Sequence, residues 1–130
     1  MIRLAIIGLG KMGLSHFAIA NTLSEFKVEA VSDLSRLVGK SAVRFTGARF
    51  ARDYRRCLSD SDVEAVLVSV PTHLHFPVAE AALSHGKHVF LEKPLSLSAE
   101  TSHALAEQAR RAGLATQVGY VNRFNPVLDH

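Results

Sequence analysis

The chain has 130 residues, of which 48% are hydrophobic, one cysteine and a formal net charge of +3, which fits one domain with a real buried core. No apolar run approaches the ~18 residues that a membrane span requires, and residues 2–7 are too short, and run too directly into a glycine turn, to be a signal peptide. A lone Cys57 excludes an intrachain disulfide and suits a reducing cytoplasm, where the bland reading is an unreactive thiol in or beside a helix.

Taken in chain order, the sequence alternates apolar runs with helical patterns. Residues 2–7, 28–32, 65–70, 88–91 and 115–118 suit buried parallel strands, with a weaker candidate at 48–50. Helices are expected over 12–23, 35–45, 54–59, 76–85 and 99–112. Leu105, Ala109 and Ala112 recur at i, i+4 and i+7, the spacing of one helix face. Pro77 suits a first helical turn, and Gly86 and Gly113 stand just past helix ends, where a left-handed residue closes the last turn. This rhythm implies an α/β fold: a doubly wound parallel sheet with helices on both faces and right-handed crossovers. Near the end, Asn125 is a good helix N-cap and Pro126 a good first helical residue. The sequence given stops barely one turn later, as if at the entrance to something else.

Charge is unevenly placed. Arg36, Lys40, Arg44, Arg49, Arg52, Arg55 and Arg56 lie in one stretch opposed only by Asp53. No helix-turn-helix, zinc finger or aromatic strand motif accompanies them, so they read as solvated faces, with no nucleic-acid or membrane partner expected.

The motif richest in chemistry is Gly8-Leu9-Gly10-Lys11-Met12-Gly13, set between the first strand and the first helix. Gly8 permits the tight turn, Gly10 lets backbone approach a pyrophosphate, and Gly13 lets the helix pack closely on the strand. The helix beginning near Lys11 and Met12 turns unpaired N–H groups and the positive end of its dipole toward the phosphates. Asp33, at the end of the second strand, stands where an adenosine ribose offers its hydroxyls, which favours NAD over NADP although Arg36 leaves NADP open. This is a Rossmann-type dinucleotide site.

Three further segments reach the carboxyl ends of the strands, where ligands bind in such sheets: Pro71-Thr72-His73-Leu74-His75, Glu92-Lys93-Pro94, and Gly119 to Pro126 with Arg-Phe-Asn-Pro inside it. With these residues the whole chain resembles the N-terminal half of the glucose-fructose oxidoreductase/inositol dehydrogenase (Gfo/Idh/MocA) family. The resemblance implies an NAD(P)-dependent oxidoreductase moving hydride between nicotinamide and a sugar, cyclitol or nucleotide-sugar hydroxyl. It implies a cofactor domain over residues 1–120, with 121–130 opening the connection to a second α/β domain that binds a sugar-like substrate. In full-length form a homo-oligomer is expected.

By the same resemblance, Lys93 is the catalytic residue, its ammonium on the reacting hydroxyl. A cation there stabilises developing alkoxide. Glu92 contacts the nicotinamide end or else pairs with Lys93, and Pro94 fixes the direction of the lysine through a rigid peptide that proline allows to be cis. Pro71, Thr72 and His75 are similar to cofactor-lining positions, with a purely structural His75 as the alternative. Tyr120 and Arg123 are similar to residues near cofactor and substrate, and Arg123 could equally hold the crossing into the second domain. His73 and His75 have no second ligand cluster beside them, so no metal is expected. The acid/base partner of Lys93, a histidine of the second domain in the family, is not visible here. The alternative is a non-catalytic, dinucleotide-binding regulatory sensor on the same fold.

Overall fold

The computed structural model describes residues 1–44 and 46–125. Six strands, β1 (Ile2–Ile7), β2 (Phe26–Ser32), β3 (Arg49–Ala51), β4 (Ala65–Val68), β5 (His88–Leu91) and β6 (Thr116–Val118), form one parallel sheet in the order β3-β2-β1-β4-β5-β6. Between them run α1 (Lys11–Ala20), α2 (Arg36–Val43), α3 (Arg55–Leu58), α4 (His75–Ser84) and α5 (Ala99–Ala112), with short 3₁₀ turns at Thr72–Leu74 and Val121–Phe124. The sequence-based elements are all present. The expected helical end at Phe45 and the helix entry at Pro126 lie outside the described residues.

Strand alternation sorts the side chains into two cores. Leu4 and Ile6, Leu67 and Phe90 face α1 and α2, where Phe17, Ala20 and Val38 meet them. Ala5 and Ile7, Val66 and Val68, Val89 and Leu91 face the other way, toward Leu58, Val78, Ala82, Leu105 and Ala109. In β2 the register shifts opposite Leu4 and Ala5, whose partners are Val28 and Ala30, so Glu29 is skipped. That bulge resets the alternation, putting Val28 and Val31 in one core and Ala30 in the other.

Element ends follow local chemistry. α1 stops at Ala20, earlier than its apolar pattern, because the Asn21 side-chain amide donates to the Phe17 carbonyl at 2.7 Å and Thr22 Oγ1 to the Ile19 carbonyl at 2.8 Å. β4 ends at Val68, two residues short of expectation, as the chain leaves the ladder ahead of Pro71, which has no N–H to give it. Ser35 and Ser98 cap α2 and α5, accepting from the Val38 and Thr101 N–H groups. Gly113 ends α5 at φ 65°.

The strand order reverses between β1 and β4. Their following segments diverge to opposite faces, and the gap left at the carboxyl ends is where a sheet of this kind binds its ligand. Among the described residues no helix is long and apolar enough to cross a membrane.

Candidate functional site

The glycine turn fills the reversal point. Gly8 has φ 89°, and a Cβ there would lie 2.4 Å from the Ser69 carbonyl oxygen across the gap. Gly13 is equally constrained: its Cβ would lie 1.9 Å from the Gly8 carbonyl oxygen, so helix and strand could not close. Gly10 differs from both. It caps α1 at φ −65°, ψ −172°, and a Cβ on it would meet nothing within 4 Å. The first bond of α1 runs from the Leu14 N–H to the Gly10 carbonyl at 2.9 Å, and no side chain caps the helix. The N–H groups of the first turn therefore face open space, and that is the cradle a pyrophosphate requires.

Two clefts meet over this turn and share Gly10, Ser69, Val70 and Pro71 as common wall. One, of about 540 Å³, extends past Gly8 to Asp33, Leu34, Arg52 and Tyr54. The other, of about 450 Å³, runs past Lys11, Met12 and Thr72 to His75, Glu92, Lys93, Gly119 and Val121. Laid end to end they offer a nucleotide compartment and a reaction compartment on either side of the phosphate cradle. The residues present fit a dinucleotide.

Asp33 is bound into the backbone around it. Its Oδ2 accepts the Leu9 N–H and its Oδ1 the Ser35 N–H, each at 2.7 Å. The carboxylate thus ties the glycine turn to the entry of α2 while lining the nucleotide compartment. The flanking arginines divide. Arg49 is tied to Asp60 and lies 3.7 Å from Glu29. Arg55 pairs with Asp53 at 3.6 Å and lies 5.0 Å from the Tyr54 ring centre. The guanidinium of Arg49, bonded to its side chain, helps hold the Asp60 carboxyl below the usual range, second to the Asp62 N–H.

In the reaction compartment the Lys93 side chain is exposed at the carboxyl end of β5, and among the described residues its ammonium has no side-chain partner. The Lys93–Pro94 peptide is cis. Glu92 does not pair with that ammonium. Its buried carboxylate accepts from His16 Nε2 at 2.6 Å through Oε1 and from the Lys93 backbone N–H at 3.2 Å through Oε2.

His75 lines the same cleft. It is 1% exposed, with Nδ1 2.6 Å from the Pro94 carbonyl oxygen and Nε2 2.9 Å from that of Val70. Each ring nitrogen faces a backbone carbonyl oxygen, and a neutral ring has a single N–H to donate between the two. It shapes the floor between the loop after β4 and the loop after β5. Arg123 sits differently. It is exposed on the 3₁₀ turn and lines neither cleft; Gly119 and Val121 form that wall instead. Tyr120 likewise lies outside the wall.

The sequence reading passed over His16. It belongs to the packed stripe of α1, Gly13-His16-Phe17-Ala20, at i, i+3, i+4 and i+7. A lone polar residue in such a stripe needs a partner, and that was the available signal. Cys57 is 2% exposed in α3, and burial pushes its thiol up to about 11. Among the described residues no group of three His, Cys, Asp or Glu side chains could hold a metal ion.

The family model described as an oxidoreductase family with an NAD-binding Rossmann fold, GFO_IDH_MocA, matches residues 2–120. The chain belongs to this family. Among curated relatives, the scyllo-inositol 2-dehydrogenase (NAD(+)) of Bacillus subtilis is 32% identical over 127 residues, covering 96% of this chain and 37% of the relative. Inositol 2-dehydrogenase of Salmonella typhimurium is 32% identical over 131 residues, covering 95% and 38%. In structure, scyllo-inositol dehydrogenase from Lactobacillus casei with bound NAD(H) and scyllo-inositol matches with a TM-score of 0.89 at 29% identity, over 97% of this chain and 38% of that one. A 3-ketoreductase from Actinomadura kijaniata in complex with NADP matches with a TM-score of 0.90 at 27% identity, over 96% and 39%. The chain spans well under half the length of these relatives and corresponds to the family's NAD-binding Rossmann domain.

Proposed function

We propose that this Gfo/Idh/MocA chain is the cofactor-binding half of an NAD(H)-dependent dehydrogenase that oxidises a secondary hydroxyl of a cyclitol or sugar. Residues 1–120 bind the dinucleotide, and residues from 121 onward lead to a second α/β domain carrying the substrate pocket. The observation that carries the reading is the shared wall of the two clefts, which puts an uncapped helix N-terminus and the Lys93 ammonium along one groove.

Bound there, the nicotinamide supplies the two-electron hydride acceptor. The first-turn N–H groups of α1 hold the pyrophosphate. Asp33, with lone pairs left beyond its two backbone bonds, accepts from the ribose hydroxyls. Thr72, Met12 and Pro71 line the path toward the reactive end. Lys93 donates to the substrate oxygen, so that as the carbon loses hydride the oxygen's growing negative charge meets a cation at hydrogen-bond distance. The hydroxyl proton passes to a base supplied from the second domain. Glu92, held off the ammonium by its own bonds, leaves Lys93 free for that contact.

One relative is named a scyllo-inositol 2-dehydrogenase and another a 3-ketoreductase, which supports the substrate class. We assign the protein to the cytoplasm and expect a homo-oligomer in full-length form. Fluorescence titration of NADH, followed by turnover of the full-length protein with NAD⁺ on a panel of inositols and sugars, tests the reading. Cofactor binding without turnover across that panel would favour the regulatory-sensor alternative.

A further inference from the structure

Glu92 and Lys93 are neighbours in sequence with opposite charge, yet their charged ends do not meet. A lysine freed to reach a substrate oxygen has to be kept from the carboxylate next to it. The structure shows what keeps it so. Glu92 and Lys93 line the same cleft, but whereas Lys93 is exposed, the Glu92 side chain is buried where it meets His16 of α1. There His16 Nε2 donates to Glu92 Oε1 at 2.6 Å, and the His16 ring stands edge-on to Phe90 with ring centres 5.5 Å apart. Phe90 fixes the ring, and the ring fixes the carboxylate. A Cβ at Gly119 would lie 3.4 Å from Glu92 Oε1 and 3.1 Å from Phe90 Cζ, so the pocket around the carboxylate is closed on that side as well.

We propose that His16 is a positioning residue for Lys93, acting through the Glu92 carboxylate. This rests on the reading of Lys93 as the group on the substrate oxygen. A buried carboxylate with one donor removed seeks another cation or donor, and the nearest in sequence is the ammonium of Lys93. Without His16, Glu92 turns from the backbone N–H of Lys93 to its side chain, drawing the ammonium out of the cleft. His16 also stands on α1, the helix whose first turn cradles the pyrophosphate, so one contact joins the phosphate helix to the loop that carries Lys93.

The experiment uses the full-length protein with NAD⁺ and scyllo-inositol, comparing the parent with His16→Ala, His16→Gln, Lys93→Met and the His16→Ala/Lys93→Met double variant. In His16→Ala, kcat falls about 10- to 100-fold, the cost of a misplaced catalytic group, while the NADH dissociation constant, read by fluorescence, holds within about twofold because the phosphate cradle is untouched. His16→Gln, whose amide nitrogen reaches as far as Nε2, restores most of kcat. In the Lys93→Met background the alanine substitution has no further effect, since its route of action is gone. A crystal structure of His16→Ala shows the Glu92 carboxylate moved off the Lys93 N–H toward the ammonium.

An unmoved Glu92 overturns the proposal, with or without turnover of this substrate. An unchanged kcat in His16→Ala also overturns it. So does a loss of kcat that comes with weakened NADH binding and is not rescued by glutamine, which is the signature of a merely structural histidine. Should Lys93→Met itself turn over at the parent's rate, the reading of Lys93 is what fails, and His16 falls with it.

Discussion

Replacing Gly10 by valine separates binding from folding more cleanly than any other change in the glycine turn. An ideal Cβ at Gly10 meets no heavy atom within 4 Å, and its φ of −65° and ψ of −172° are open to any L-residue. The protein itself has room for the side chain. Its cost is that of a poorer N-cap, about 0.5–1 kcal/mol, which lowers the melting temperature by roughly 2–5 °C. The isopropyl group, however, fills the space in front of the uncapped first turn of α1. Two lost hydrogen bonds from those N–H groups to a charged phosphate, at about 1.5–3 kcal/mol each, amount to about 3–6 kcal/mol, or a ~10²- to 10⁴-fold loss of affinity. Gly13→Ala is the contrasting control. Its Cβ would lie 1.9 Å from a backbone carbonyl oxygen that cannot yield cheaply, so stability and affinity fall together. NADH fluorescence titration and a thermal melt on the same preparations read both quantities. A Gly10→Val protein that melts near the parent and binds NADH as tightly would refute the cradle.

Four further outcomes are expected. NAD(H) binds more tightly than NADP(H) in calorimetric titration: a 2′-phosphate ~4 Å from the Asp33 carboxylate meets a repulsion of ~4 kcal/mol at an effective dielectric of 20, and tighter NADP(H) binding would show that the arginines around Asp33 prevail. In the full-length protein, Lys93→Met lowers kcat by about 10²- to 10⁴-fold with NADH affinity unchanged, and parental turnover would remove Lys93 from the mechanism. Lys87 is 8% exposed and donates from Nζ to the Asp60 and Val63 carbonyls at 2.8 and 2.7 Å; Lys87→Met therefore destabilises by about 2–4 kcal/mol in urea unfolding, and a loss within about 0.5 kcal/mol, the scale of a featureless surface change, would refute that account. The buried Cys57 thiol, pushed up to about 11, reacts slowly with Ellman's reagent at pH 8, speeds up as pH rises toward that value and labels at once in urea; immediate labelling of the folded chain would contradict its burial.

How much of this was readable beforehand follows from the range over which each feature is decided. The strand and helix spans and the left-handed ends at Gly86 and Gly113 depend on a few neighbouring residues, so pattern and backbone preference suffice. The glycine turn was legible for the same reason: Gly8, Gly10 and Gly13 act within a single strand–turn–helix unit. The order of the strands and the reversal at β1 and β4 were implied only as a class, through the alternation of elements.

The contacts that make the site work are of another kind. His16 meets Glu92 across 76 positions, Asp33 reaches back 24 positions to the Leu9 N–H, and His75 lies between the Val70 and Pro94 carbonyls. Sequence named Asp33, His75, Glu92 and Lys93 as polar residues at strand ends, and Arg123 as one more. It could not say which would face the cleft and which would be consumed in holding it. That depends on which strands become neighbours, on the packing that buries Glu92 against His16 and leaves Lys93 exposed, and on the depth at which each ring is buried. A short hydrogen-bonding side chain takes whichever partner the packed fold brings within about 3 Å, and only the assembled sheet and helices fix that distance.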